Sequence, residues 1–197
     1  MHEVEVKYQL SFLPKVKKLM DAHGFIFQGK VFERNFVFDT ANNDLQFSHK
    51  TLRLRILTKN LYHLQGLLTT KTRIESSEFK SHDETQTAVA NPTAILQVLK
   101  NAFEKHIEYQ KFRSTYYSES LEIEACVDEL PFGTFLELEG KTDETLKRVI
   151  KLLKLEYLKP ILKGYPTMCN GRNQTYEFKY VKKAFGPKKI NEEFQWD

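Results

Sequence analysis

The sequence predicts an α+β fold, built from short antiparallel strands with one charged face each and from three amphipathic helices. At the N-terminus, Glu3, Glu5 and Lys7 alternate with apolar residues, which is the period of a β-strand with two different faces. The same alternation returns in five later segments: 51–57, 67–74, 108–117, 120–128 and 135–140. Repeated strands of this kind, interrupted by helical patterns, indicate a sheet whose apolar face is covered by helices.

Three helices are predicted from their end signals and their apolar stripes. Pro14 begins the first helix, and Gly24 follows it as a natural C-cap. Asn91 caps the second helix, and Thr142 caps the third. The stripes are Leu13, Val16, Leu19 and Met20; Ile95, Leu96, Leu99 and Phe103; and Leu146, Val149, Ile150 and Leu153.

The remaining segments set the connections and the boundaries of the fold. Residues 25–27 and 31–38 are β-prone. The segment 75–86 is polar with few apolar residues, so it is predicted as a loop or an edge strand. Because no linker interrupts the pattern, we expect one domain over residues 1–170, followed by a basic C-terminal arm over residues 171–197.

Composition narrows the class of protein. With 41% hydrophobic and 28% charged residues, the chain is typical of a soluble globular protein, and its net charge of +4 does not call for nucleic acid. Cys126 and Cys169 are the only cysteines, which favours a reducing compartment, with a single bridge between them as the alternative. No apolar run reaches bilayer length and no signal region is recognised, so we expect a cytoplasmic monomer or homodimer with no membrane partner.

The charged faces leave two architectures open. The basic side chains are Lys7, Arg53, Arg55, Lys71, Arg73, Lys111 and Arg113, and the acidic ones are Glu3, Glu5, Glu122, Glu124, Asp128, Glu137 and Glu139. An open sandwich turns such faces to water. A closed antiparallel barrel encloses them, and it then needs an anion against the cations and metal ions against the carboxylates, because isolated buried charges are costly. A polyphosphate with a divalent metal meets both needs.

Several motifs, in chain order, resemble the CYTH superfamily, the triphosphate tunnel metalloenzymes. Glu3-x-Glu5-x-Lys7 resembles the E-x-E-x-K signature of that family. The further motifs are Phe38-Asp39-Thr40, Leu52-Arg53-Leu54-Arg55-Ile56, Leu68-Thr-Thr-Lys71, Lys111-Phe-Arg113, the D-x-x-x-x-G-x-F-x-E-x-E pattern over 128–139, and Lys163-Gly-Tyr165. The resemblance covers about residues 1–168.

The resemblance implies a closed eight-stranded antiparallel β tunnel with a polar lumen and helices outside, a small-molecule triphosphate substrate, and Mg²⁺ or Mn²⁺ as cofactor. The phosphate contacts that it implies are Lys7, Arg53, Arg55, Lys71, Arg113 and Lys163. The metal ligands that it implies are Glu3, Glu5, Asp128, Glu137 and Glu139. The catalytic set that it implies is Glu3, Glu5, Lys7, Asp128 and Glu139.

Departures from the family pattern favour a general or inorganic triphosphatase. Only two residues precede Glu3, where class IV adenylyl cyclases carry a His-Phe pair further upstream, and Thr51 stands where thiamine triphosphatases carry Trp. Glu84 is a further metal candidate, whereas Lys80 has no assigned role. The alternative hypotheses are a class IV-like adenylyl cyclase that makes cyclic AMP from ATP, and a tunnel that binds polyphosphate without turnover.

Overall fold

The computed structural model describes residues 2–60, 63–74, 78–169 and 175–176. The strands are β1 (His2–Leu10), β2 (Ile26–Asp39), β3 (Lys50–Asn60), β4 (His63–Ile74), β5 (Lys80–Val89), β6 (Lys105–Ser118), β7 (Ile123–Leu130), β8 (Gly133–Gly140) and β9 (Thr175–Tyr176). The helices are α1 (Leu13–Ala22), α2 (Asp44–Phe47), α3 (Pro92–Ala102), α4 (Asp143–Leu152) and α5 (Tyr165–Met168). The three predicted helices correspond to α1, α3 and α4.

Eight strands form one closed antiparallel sheet. Their hydrogen-bonded order is β2-β3-β4-β5-β1-β8-β7-β6, and β2 also pairs with β6, so that the ring closes. Closure satisfies the backbone groups that an open sheet leaves at its edges. The short strand β9 adds a parallel pairing to β6. The α+β class and the closed eight-stranded antiparallel sheet predicted from the sequence are therefore confirmed.

The described chain groups into two compact units, of which the first comprises residues 2–30, 72–74, 78–84 and 112–163. In this unit, α1 and α4 pack on the apolar faces of β1, β7 and β8. The buried contacts include Val4, Val6, Val16, Met20, Ile123, Val127, Leu136, Leu138, Leu146 and Val149. At the start of α4, the Thr142 hydroxyl accepts a 3.2 Å hydrogen bond from the backbone N–H of Thr145, a cap that contributes about 1 kcal/mol.

Among the described residues, the second unit comprises 31–60, 63–71, 85–111, 164–169 and 175–176. Here α3 packs on the apolar faces of β2 and β3. The cluster contains Phe36, Phe38, Leu54 and Ile56, with Ile95, Leu96, Leu99 and Phe103 against them. The Asn91 side chain accepts a 3.0 Å hydrogen bond from the backbone N–H of Ala94, which confirms the predicted cap of this helix.

The prediction for segment 75–86 was wrong in the part that the structure describes. Residues 80–89 form β5, which is hydrogen-bonded to β4 on one side and to β1 on the other. In a closed sheet, a strand is held by pairing on both sides, so β5 is interior although Asp83 and residues 85–88 are exposed. The low apolar content of this segment therefore led to the wrong prediction of a loop or an edge strand, where the structure has an interior strand.

Two further features concern the limits of the chain. The predicted basic arm, 171–197, lies outside the described residues apart from β9, and the domain boundary at residue 170 stays a prediction. Within the described part of the chain, no helix combines the length and the apolar character needed to span a lipid bilayer.

Candidate functional site

The register of the first unit places charged residues of three neighbouring strands side by side. Across β1 and β8, Glu5 lies opposite Glu139 and Lys7 opposite Glu137. Across β7 and β8, Glu124 lies opposite Glu139. Although this face is charged, Glu5, Lys7 and Glu137 are only 6%, 2% and 6% exposed. An open sandwich would leave them in water, so the polar face is enclosed and the sandwich alternative is excluded.

Three carboxylates on this face form a cluster that can hold one metal ion. Oxygen atoms of Glu3, Glu5 and Glu139, called the carboxylate triad below, lie within 4.8 Å of one another. Burial and the neighbouring carboxylates of Glu137 and Glu3 raise the pKa of Glu139 well above its ordinary value. Carboxylate oxygens are the donors that hard divalent cations prefer, and such a cation would relieve this repulsion.

Arg113 is the centre of a buried ion-pair network beside the triad. Its Nε and Nη2 donate hydrogen bonds of 2.7 Å to the two oxygens of Asp128, and Nη2 also donates a 2.5 Å bond to Glu137. Its Nη1 lies 3.8 Å from an oxygen of Glu139. Burial is the largest single influence on Arg113 and lowers its pKa, but the charges of Asp128 and Glu137 and the hydrogen bonds to Asp128 together outweigh it, so the pKa of the guanidinium is raised well above its ordinary value. The network therefore keeps a cation within reach of the triad.

Lys7 is a second buried cation on the same face. Its ammonium forms an ion pair with Glu137, and both side chains are almost inaccessible. Burial lowers the pKa of Lys7, but the charges of Glu137 and Glu5 outweigh this effect and raise it overall. Lys7 therefore stays charged at neutral pH.

The Cys126 thiol lies on the same face and is packed. Its Sγ donates a 3.3 Å hydrogen bond to Glu124, and the residue is fully buried. Burial raises the pKa of the thiol well above its ordinary value. Since the thiolate is the nucleophilic form, a packed thiol is favoured over a reactive one.

Sequence reasoning assigned no role to Lys80, which lies next to the triad. Lys80 is opposite Glu5 in the register of β1 and β5, and its Nζ lies 2.6 Å from Oε1 of Glu5. The only local signal was a lysine in a polar segment. Its position depends on a strand pairing between residues 75 positions apart in the chain.

The second unit holds a separate buried polar cluster, organised by Glu33. Its carboxylate lies 3.6 Å from Nε of Arg55 and 3.5 Å from Nζ of Lys111, and it accepts a 3.2 Å hydrogen bond from Asn35. Glu33 and Lys111 are each 1% exposed. The Nε of Arg53 is buried and has no hydrogen-bond partner among the described atoms. Sequence reasoning missed Glu33, although it lies in a β-prone segment among apolar residues.

The structure distributes the predicted site residues as follows. It brings Glu3, Glu5 and Glu139 together, and it places Asp128 and Glu137 in ion pairs with Arg113 and Lys7. In the second unit, Arg53, Arg55 and Lys71 are half-buried. Lys163 is exposed and lines a surface cavity of about 440 Å³ with Gln9 and residues 158–162. The phosphate-binding roles of these four residues stay predictions.

A closed antiparallel sheet with acidic and basic side chains on an enclosed face defines the class: a β tunnel protein with a charged interior face. The chain belongs to the CYTH domain family, which matches residues 1–157. Among curated protein sequences, none matches the chain.

Solved structures share this fold at low sequence identity. The PH1819 protein of Pyrococcus horikoshii OT3 is 19% identical, with a TM-score of 0.70, over 85% of this chain and 97% of that chain. A Vibrio parahaemolyticus protein provisionally assigned as an adenylate cyclase is 19% identical, with a TM-score of 0.67, over 87% and 99%. HpAC1 of Hippeastrum, described as revealing a dominant triphosphatase activity, is 21% identical, with a TM-score of 0.58, over 82% and 91%. At these identities the likeness concerns the fold.

Proposed function

We propose that the protein is a divalent-metal-dependent triphosphatase acting on inorganic triphosphate or on a small organic or nucleoside triphosphate. The observation that carries the proposal is the carboxylate triad on the same enclosed face as the buried cations Lys7 and Arg113. The triad offers the hard oxygen donors that suit Mg²⁺ or Mn²⁺. Membership of the CYTH family and the triphosphatase activity described for the Hippeastrum protein support the same reaction class.

In this proposal, the residues of the chain act by charge and positioning. Hydrolysis adds a water oxygen to the terminal phosphorus and breaks its bond to the bridging oxygen, so that negative charge grows on the departing diphosphate. Lys7 and Arg113 stabilise that charge, Lys7 as a point charge and Arg113 through its planar fork. A divalent ion held by the triad supplies further positive charge to the phosphate oxygens when it is bound.

Asp128 and Glu137 have a distinct role in this proposal. Their oxygens contact Arg113 and Lys7, so we assign them to holding these cations in place, and their service as metal ligands stays a prediction. The buried Nε of Arg53 has no hydrogen-bond partner in the described part of the chain, and this supports a contact between Arg53 and an anion, because a buried donor without a partner is costly. The phosphate contacts of Arg55, Lys71 and Lys163 rest on the sequence resemblance.

The test is phosphate release from inorganic triphosphate, ATP and thiamine triphosphate with Mg²⁺ or Mn²⁺, with the products identified by ion chromatography. We expect Glu5→Ala and Arg53→Ala to lower the rate by about 100-fold or more, because the first removes a proposed ligand of the metal ion and the second a proposed cationic contact to phosphate. Glu122→Ala is the matched control, since Glu122 is an exposed carboxylate whose ion pair with Lys141 spans 3.5 Å at the surface.

Each alternative has its own signature in the same assay. Formation of cyclic AMP and diphosphate from ATP would identify the protein as a class IV-like adenylyl cyclase instead of a triphosphatase. Tight triphosphate binding without any product would favour the non-catalytic tunnel. Absence of turnover for every triphosphate with both metals, in a folded protein, would overturn the proposal.

A further inference from the structure

The strand β5 places one ammonium group directly against the carboxylate triad. The Nζ of Lys80 lies 2.6 Å from Oε1 of Glu5, and the two side chains are 20% and 7% exposed. A charge-assisted hydrogen bond of this length between partly buried groups is strong. The metal-free triad is therefore already neutralised in part by a cation that belongs to the chain.

The ammonium of Lys80 and a divalent ion would both bind the same oxygen, Oε1 of Glu5. Metal–oxygen distances for Mg²⁺ are about 2.1 Å, so an ion bound to Oε1 of Glu5 would lie within about 5 Å of Nζ of Lys80. Two cations at that separation repel strongly where water is partly excluded. The two cations therefore compete for this oxygen.

We propose that Lys80 is a built-in competitor for the metal, whose ammonium occupies Glu5 in the metal-free protein and moves away when a divalent ion binds. The inference rests on the proposed metal site and adds to it a residue that sets the metal affinity. The long, flexible lysine stem allows the ammonium to move outward, because the side chain is only partly buried.

Two consequences follow from this competition. The free protein binds metal more weakly than three uncompensated carboxylates would, because each binding event displaces an existing ion pair. The metal-free protein is also more stable than it would be if Glu5 lacked the ammonium of Lys80. Removing the charge of Lys80 therefore changes metal affinity and metal-free stability in opposite directions.

The experiment measures the Kd of Mn²⁺ for the full chain from the electron paramagnetic resonance signal of free Mn²⁺. We expect Lys80→Met to bind Mn²⁺ about tenfold tighter or more than the wild type, because a like charge near the ion is gone. Lys80→Arg keeps the charge and stays within about threefold of the wild type. Lys147→Met is the matched control, since Lys147 makes an equally short 2.6 Å pair with Glu78 at an exposed position.

Thermal unfolding gives a second readout that does not depend on activity. Without metal, Lys80→Met should melt below the wild type, and saturating Mn²⁺ should raise its Tm by more than it raises that of the wild type. If the wild type binds Mn²⁺ and Lys80→Met binds it equally or more weakly, the competitor role is wrong while the metal site stands. If neither protein binds Mn²⁺, the metal site itself is wrong, and the proposed function fails with it.

Discussion

Replacing Asp128 by Asn tests what this fully buried carboxylate contributes to the molecule. Asp128 accepts two hydrogen bonds of 2.7 Å from Arg113, which keeps a 2.5 Å bond to Glu137 when Asp128 is changed. Removing one partner of a buried ion pair costs about 3–5 kcal/mol, and Glu137 retains part of the compensation, so we expect a loss of about 3 kcal/mol. For a chain of this size, that loss lowers Tm by about 6–12 °C.

The assay is urea denaturation of the metal-free protein, with Glu129→Gln as the control. Glu129 is the next residue of β7, and its 2.8 Å pair with Lys30 is more than one-third exposed, so its loss costs less than about 1 kcal/mol. If Asp128→Asn were no more destabilising than Glu129→Gln, the reasoning from burial would be refuted.

The same variant separates two roles for Asp128. If Asp128 serves only as the partner of Arg113, we expect Asp128→Asn to change the Kd of Mn²⁺ by less than about threefold, because the triad keeps its three carboxylates. A tenfold or larger loss of Mn²⁺ affinity would instead place Asp128 among the metal ligands, as the sequence resemblance predicts.

Two further variants test the triad and the fold. The pKa of Glu139 is raised in the folded protein, so the folded state loses stability as pH rises from about 4.5 towards that higher pKa. We expect Glu139→Gln to raise the Tm of the metal-free protein, measured in EDTA, by an amount that grows with pH in this window. A difference in Tm between the variant and the wild type that does not change with pH would contradict this prediction. Gly66→Ala places a new Cβ 2.7 Å from Cβ of Pro92, at the start of α3. We expect this clash to lower the free energy of unfolding by about 1–3 kcal/mol. An unchanged midpoint of urea denaturation would show instead that α3 shifts to accommodate the methyl group.

The apolar and charged faces of the elements could be predicted from local periodicity alone. Val4 and Val6 alternate with Glu5 and Lys7 every two residues, so one face of β1 had to be apolar and the other charged. The helix caps were equally local, as the hydrogen bond from the backbone N–H of Ala94 to the Asn91 side chain shows. These signals predicted the strands other than β5 and β9, the three principal helices, the family resemblance and the acidic and basic residues of the polar face.

Which charged residues meet depends on the fold, because their partners are set by the register between strands that are distant in sequence. The polar segment containing Lys80 gave no local sign that it pairs with β1, yet that pairing brings its ammonium to Glu5. Asp128 and Glu139 both carry a carboxylate. The pairing of β6 with β7 places Asp128 opposite Arg113, whereas the pairing of β1 with β8 places Glu139 opposite Glu5. Side-chain identity fixes the charge of a residue, and strand register fixes what that charge neutralises.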